Sequence, residues 1–179
     1  MMREESFGVY SGFPEKWHRR FSIKIYAPPA DVQRALVNAL YELNGRSIKS
    51  YWTRNVGVDI DVIFEFGVAD NLTFHYIDSD TLNTLLKAIR EGKIRILDII
   101  CIVRYYVKED RALKGRGRKP LRFDYYLLRF IFNDGKLEVR VFHVKGPQRI
   151  LIDEVAEFLA NCINARLNKK NLDILESDK

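Results

Sequence analysis

The sequence predicts an α+β fold: a largely antiparallel sheet of about five to six strands, with helices packed on one face, in the order β-α-β-β-α-β-β-β-α. Three long strand-like stretches follow one another between Arg95 and Lys145, and Asn133-Asp134-Gly135 joins the last two with a strong hairpin signal. Helical patterns separate runs of adjacent strands instead of alternating with them one for one, which argues for an antiparallel sheet. At 179 residues, with 47% of them hydrophobic, the chain is long enough for one domain with a full core.

The elements follow in order. Residues 1–18 read as an irregular lead-in containing Phe7, Tyr10, Phe13 and Trp17. Arg20 to Tyr26 alternates as a short strand, and Ala27-Pro28-Pro29 stops it. A helix is predicted from about Pro29 to Leu43, since proline is tolerated in a first turn and Asp31 suits the positive end. Val32, Leu36, Leu40 and Leu43 form its apolar stripe, and Asn44-Gly45 ends it. Arg46–Asn55 precedes a strand over Val56–Phe66, with Val58, Ile60, Val62, Phe64 and Phe66 inward and Asp59, Asp61 and Glu65 outward. Asp70-Asn71 marks a turn, and Leu72–Ile77 returns as the hairpin partner. Ser79 is the expected N-cap of a helix ending near Arg90, before Gly92. Strands over Arg95–Lys108, Leu121–Asn133 and Lys136–Lys145 follow, then a helix from about Arg149 to Asn168 and a polar tail. Residues 1–148 read as a nucleic-acid-binding domain, and 149–179 as a helix and tail that is a candidate for homo-oligomerisation. The apolar stripe Leu151, Val155, Phe158, Leu159, Cys162, Ile163 serves equally to cover the sheet or to pack on a second copy.

Charge points to the ligand. Lys108–Arg122 reads KEDRALKGRGRKPLR, seven basic residues against two acidic, a net +5 in a chain whose total is +6. Tyr105-Tyr106 precede this connection and Tyr125-Tyr126 follow it. Concentrated positive charge attracts a polyanion, and exposed rings let unpaired bases stack. Division of the long strands by parity gives three sets: Arg104, Tyr106, Lys108; Arg122, Asp124, Tyr126, Leu128; and Lys136, Glu138, Arg140, Phe142. Brought together, these would form a face of rings and guanidinium groups. Trp17-His18-Arg19-Arg20 and Tyr51-Trp52-Thr53-Arg54 add two further ring-plus-cation clusters.

The expected function is therefore non-catalytic, sequence-nonspecific binding of single-stranded DNA. Trp17, Tyr51, Trp52, Tyr106, Tyr126 and Phe142 would stack on bases; Arg20, Arg54, Arg104, Arg116, Arg118, Lys119, Arg122 and Arg140 would contact phosphates. RNA is the alternative ligand, because a stacking platform is indifferent to the sugar unless a 2′-OH is read. Two other classes compete: a magnesium-dependent nuclease using Asp59 and Asp61, and a module whose basic loop meets an acidic protein. No cofactor is expected. The sequence has no Cys/His cluster and no P-loop pattern around Gly115 and Gly117, and no Ser/His/Asp arrangement suggests acyl transfer. Cys101 and Cys162 read as small buried hydrophobes. The most apolar run, Ile94–Val103, is too short to span a bilayer and contains Arg95 and Asp98, so a cytoplasmic protein is expected. The 30% charged content and only two glutamines lean towards a thermophile.

The succession Trp17-His18-Arg19-Arg20, Ala35-Leu36 to Ala39-Leu40-Tyr41-Glu42, Tyr51-Trp52, Arg104-Tyr105-Tyr106 and Leu121-Arg122-Phe123-Asp124-Tyr125-Tyr126 resembles the ThermoDBP group of crenarchaeal single-stranded DNA-binding proteins over about residues 7–150. That resemblance implies an archaeal, thermophilic source and a compact α+β domain without an OB-fold. It also implies an aromatic-floored cleft with basic walls, and a C-terminal helix used for dimerisation.

Overall fold

The computed structural model describes residues 7–47, 60–107, 119–167 and 172–178. The predicted order is present: β1 (Arg19–Ile25), α1 (Pro29–Leu43), β2 (Ile60–Asp70), β3 (Thr73–Tyr76), α2 (Ser79–Arg90), β4 (Ile96–Val107), β5 (Lys119–Asn133), β6 (Lys136–Lys145) and α3 (Ile152–Arg166). The tail adds β7 (Leu172–Asp178), which makes a seven-stranded sheet in the order β3-β2-β4-β5-β6-β1-β7. Every pairing is antiparallel. A short, polar-looking segment is weak strand material alone. Its backbone pairs here because β1 would otherwise present a row of open donors and acceptors.

Helices cover one face of this sheet. Phe21 and Ile23 of β1, Val62, Phe64 and Phe66 of β2, and Leu97, Ile99 and Cys101 of β4 are buried beneath them. Leu128, Phe130 and Phe132 of β5 and Leu137, Val139 and Val141 of β6 complete that floor. The buried stripe of α1 is broader than predicted, including Gln33, whose side chain donates to the Ile94 carbonyl at 2.8 Å. In α2 the cap moves one residue back: Asp78, not Ser79, accepts the Thr81 amide at 2.8 Å. That bond holds the Asp78 carboxyl below its usual range. In α3, Ile152, Val155, Leu159, Ala160 and Ile163 are buried, and Phe158 stacks on Phe64 with 6.3 Å between ring centroids. Of the stripe named for this helix, Val155, Leu159 and Ile163 cover the sheet, Phe158 and Cys162 are half-buried, and Leu151 is exposed. Among the described residues, no helix is long and apolar enough to cross a membrane.

The lead-in takes part in the fold through backbone bonds. β2 and β4 pair from Ile60↔Val107 to Phe66↔Cys101, and the chain at Gly8 enters the space beyond. Gly8 donates to the Ala69 carbonyl at 2.7 Å and accepts from the Asp98 amide at 2.6 Å, so it bridges the two strands. Its φ of +96° and an Ile96 carbonyl 3.3 Å from where a Cβ would lie both require glycine. From Gly8 the strap of residues 9–18 runs across the sheet face opposite the helices.

Candidate nucleic-acid interface

Register defines this second face row by row. At one end Ile63, Arg104 and Phe123 lie across β2, β4 and β5, and the next row is Glu65, Ile102, Tyr125 and Lys145. Tyr106 stands beyond Arg104, beside the ends of the connection that carries most of the net charge. Phe123 is the centre of this cluster. The Arg104 guanidinium lies 5.4 Å from its ring centroid and the Lys145 ammonium 4.9 Å, so cations of two different strands bracket one partly exposed ring. Glu65 balances one of them, 3.2 Å from Arg104. Burial raises the Tyr125 phenol, and the neighbouring Tyr10 adds to that shift.

Further along the same face the strap covers the sheet. Tyr10 lies 4.8 Å from the Phe74 ring, Phe13 takes the Arg129 guanidinium at 4.3 Å, and Trp17 takes that of Arg140 at 4.4 Å. His18 stacks on Phe142 at 4.5 Å and accepts the His143 amide at 2.9 Å. Arg129 is held beneath the strap by the fully buried Asp98, with Nε and Nη2 each 2.8 Å from a carboxylate oxygen. The Tyr10 amide donates to that carboxylate at 2.7 Å.

The predicted site residues therefore divide. Arg104 and Tyr106 share the open face, as parity indicated. Arg140 and Phe142 share it too, but Trp17 and His18 of the strap lie on them, and Arg20 and Arg140 both reach Glu138, at 3.2 and 2.7 Å. The β5 set requires correction: Asp124 and Tyr126 lie on the helix side, and Arg122, exposed, shares their parity. Tyr126, only 1% exposed, presents no ring face for a base to stack on. The residues of β5 on the open face are Phe123, Tyr125, Leu127, Arg129 and Ile131. Phe123 and Lys145 were missed: the first lies between Arg122 and Asp124, whose charges suggested the opposite face, and a register shift at Tyr125/Tyr126 turns the second onto this face. Tyr51, Trp52, Arg54, Arg116 and Arg118 lie outside the described residues, as does Asp59, and so does the side chain of Lys119. Asp61, expected outward, is 2% exposed and opposite Tyr106. Among the described residues, no group of three or more His, Cys, Asp or Glu gathers as a metal site.

A buried polar network explains the inward turn of β5. Asp124 accepts the Tyr105 hydroxyl at 2.5 Å and the Gln148 amide at 2.7 Å, and the His143 ring lies at 3.2 Å. The Ile150 amide donates to Tyr105 at 3.3 Å, and Tyr126 donates to the Ile150 carbonyl at 3.4 Å. These bonds satisfy a carboxylate that would be costly to bury unpaired, and they tie the β6–α3 connection to the sheet. Gly146, with φ of +122°, permits the close approach: a Cβ there would stand 2.5 Å from the Phe123 carbonyl.

The network has a consequence at high pH. Burial raises the phenols of Tyr105 and Tyr126, and Asp124 raises both further; burial also raises the Cys101 thiol. The unfolded chain releases these protons from about pH 9 for the thiol and pH 10 for the phenols, while the fold retains them. Stability is then full below pH 9 and falls as pH rises, by about 1.4 kcal/mol per pH unit for each retained proton. Denaturant midpoints measured across this range should fall progressively, and less steeply in Tyr126→Phe. A flat profile through pH 11 would contradict the network.

No family model, curated protein or solved structure matches this chain.

Proposed function

We propose that the protein binds single-stranded DNA, without sequence preference, on the sheet face opposite its helices. One observation carries this reading: the Phe123 ring lies bracketed by Arg104 and Lys145, beside Tyr106 and Tyr125, where the basic connection leaves and re-enters the sheet. A ring flanked by cations can take a base on its face while the cations meet the flanking phosphates. A pleated sheet presents such side chains in fixed register, so a flexible strand is ordered without the platform being reorganised. Duplex DNA hides the faces of its bases and can use only the cations. The resemblance to the ThermoDBP group points towards the same ligand.

The test is a titration by fluorescence anisotropy with labelled oligo-dT, its RNA counterpart and a duplex, at low and moderate salt. Oligo-dT should bind more tightly than duplex, with affinity that falls as salt rises. Failure to bind at low salt overturns the proposal, and a clear preference for the RNA would reassign the ligand to RNA. Glu65 gives a sharper check. Its carboxylate competes with phosphate for Arg104, so Glu65→Gln should bind oligo-dT about two- to fivefold more tightly at low salt, with the gain fading at high salt.

A further inference from the structure

We propose that the bound strand crosses the sheet from Tyr76 on the edge strand β3 to Lys145 on β6, so that the ligand is an internal stretch of single strand and needs no free end. This deepens the single-stranded reading above and rests on it. Tyr76 supplies a second ring for a base. It lies opposite Gly67, which puts it on the face away from the helices, and it is 53% exposed. Its hydroxyl is 2.9 Å from where a Cβ on Gly45 would stand, and the Gly45 amide donates to the Phe64 carbonyl of β2 at 2.7 Å. The ring therefore leans along the edge of β2 towards Glu65. Burial raises the Tyr76 phenol, and the charge of Glu65 raises it further. Ring, cation, ring and cation then follow one another across the sheet: Tyr76 on β3, Arg104 on β4, Phe123 on β5 and Lys145 on β6. Glu65 of β2 stands between the first two.

Direction follows from what borders the platform. A nucleic acid that ran along β5 beyond Tyr125 would meet the strap, where Tyr10 lies on Phe74 and Phe13 on Arg129. The Tyr10 amide fixes that segment to Asp98 at 2.7 Å, so it stands as a wall. Across the strands, both ways out are open among the described residues. β3 is the edge of the sheet, and the pairs of β1 with β6 stop at Arg19↔Val141, short of Lys145. Neighbouring strands lie about 4.8 Å apart, which separates the backbones at Tyr76 and Phe123 by about 14 Å and those at Tyr76 and Lys145 by about 19 Å. That span suits roughly four nucleotides, a small site for a groove of this kind. A platform open at both ends lets a chain pass through it, whereas one closed at an end would demand a terminus.

Two measurements at low salt decide the matter. Linear oligo-dT and the same oligonucleotide closed into a circle should bind equally, within about threefold, because stacking and phosphate contacts need no terminus. A larger loss on closing the circle overturns the proposal. Tyr76→Ala should weaken binding of both forms about fivefold or more, the loss of one stacked base, with little change in unfolding midpoint. Tyr76→Phe keeps the ring and should retain the affinity. Tyr41→Ala, which removes an exposed ring from α1 in the helical layer, should bind as the unaltered protein does. A Tyr76→Ala variant with unchanged affinity, or a Tyr41→Ala variant that loses as much, overturns the proposal. If Phe123→Ala still weakens binding in that case, the failure is confined to the path across the sheet. If neither form of oligo-dT binds the unaltered protein, the single-stranded reading fails with it.

Discussion

Asp98→Ala should cost about 3–5 kcal/mol of folding stability, measured from denaturant midpoints. Asp98 is fully buried, takes both Nε and Nη2 of Arg129, and accepts the Tyr10 amide. Removing it leaves a guanidinium largely enclosed between sheet and strap with no matching charge, and an amide donor without its acceptor. The loss should reach beyond the pair, because the strap is fixed at this point: the Tyr10 and Gly8 amides should exchange faster well below global unfolding. Replacing both partners, Asp98→Leu with Arg129→Met, should recover much of the loss, since two apolar side chains need no compensating charge. A cost under about 1 kcal/mol for Asp98→Ala would show that this pair does not hold the strap.

Phe123→Ala should weaken oligo-dT binding roughly 5- to 150-fold, the loss of one stacked base at about 1–3 kcal/mol. Phe123 lies on the face away from the helical core, so circular dichroism and unfolding midpoint should change little. Arg104→Ala and Lys145→Ala act through charge and should behave differently. Each should lower the dependence of log K on log salt by about 0.7, the value of one phosphate contact on a single strand. Tyr126→Ala provides the contrast. Its ring is buried among core residues and its hydroxyl reaches the Ile150 carbonyl, so the variant should unfold more easily and affect binding only through the fold. Equal affinity of Phe123→Ala and the unaltered protein would remove the platform.

The readability of this chain varied with how one-sided each element is. In β2, Val62, Phe64 and Phe66 alternate with Asp61 and Glu65, and the inward set was plain. The same held for β6, where Leu137, Val139 and Val141 alternate with Glu138 and Arg140. β5 gave no such contrast. Its helix side carries Tyr126, Leu128 and Phe130, and its other side Phe123, Tyr125, Leu127 and Ile131. A strand covered on both faces loses its alternation, and the one acid within it, Asp124, suggested an outward face. Its partners arrive from 19 to 24 positions away, at Tyr105, His143 and Gln148, and nothing near Asp124 announces them.

The sequence by itself determined the α+β class, the order of elements, the hairpin at Asn133-Asp134-Gly135 and the concentration of charge between Lys108 and Arg122. These follow from periodicity, turn chemistry and composition, which act over a few residues. Tertiary structure decided which side of β5 faces the helices, that residues 172–178 become an edge strand, and that Phe13, Trp17 and His18 lie on Arg129, Arg140 and Phe142. Each of these depends on register between segments distant in the chain, and a shift of one residue in register exchanges one face of a strand for the other.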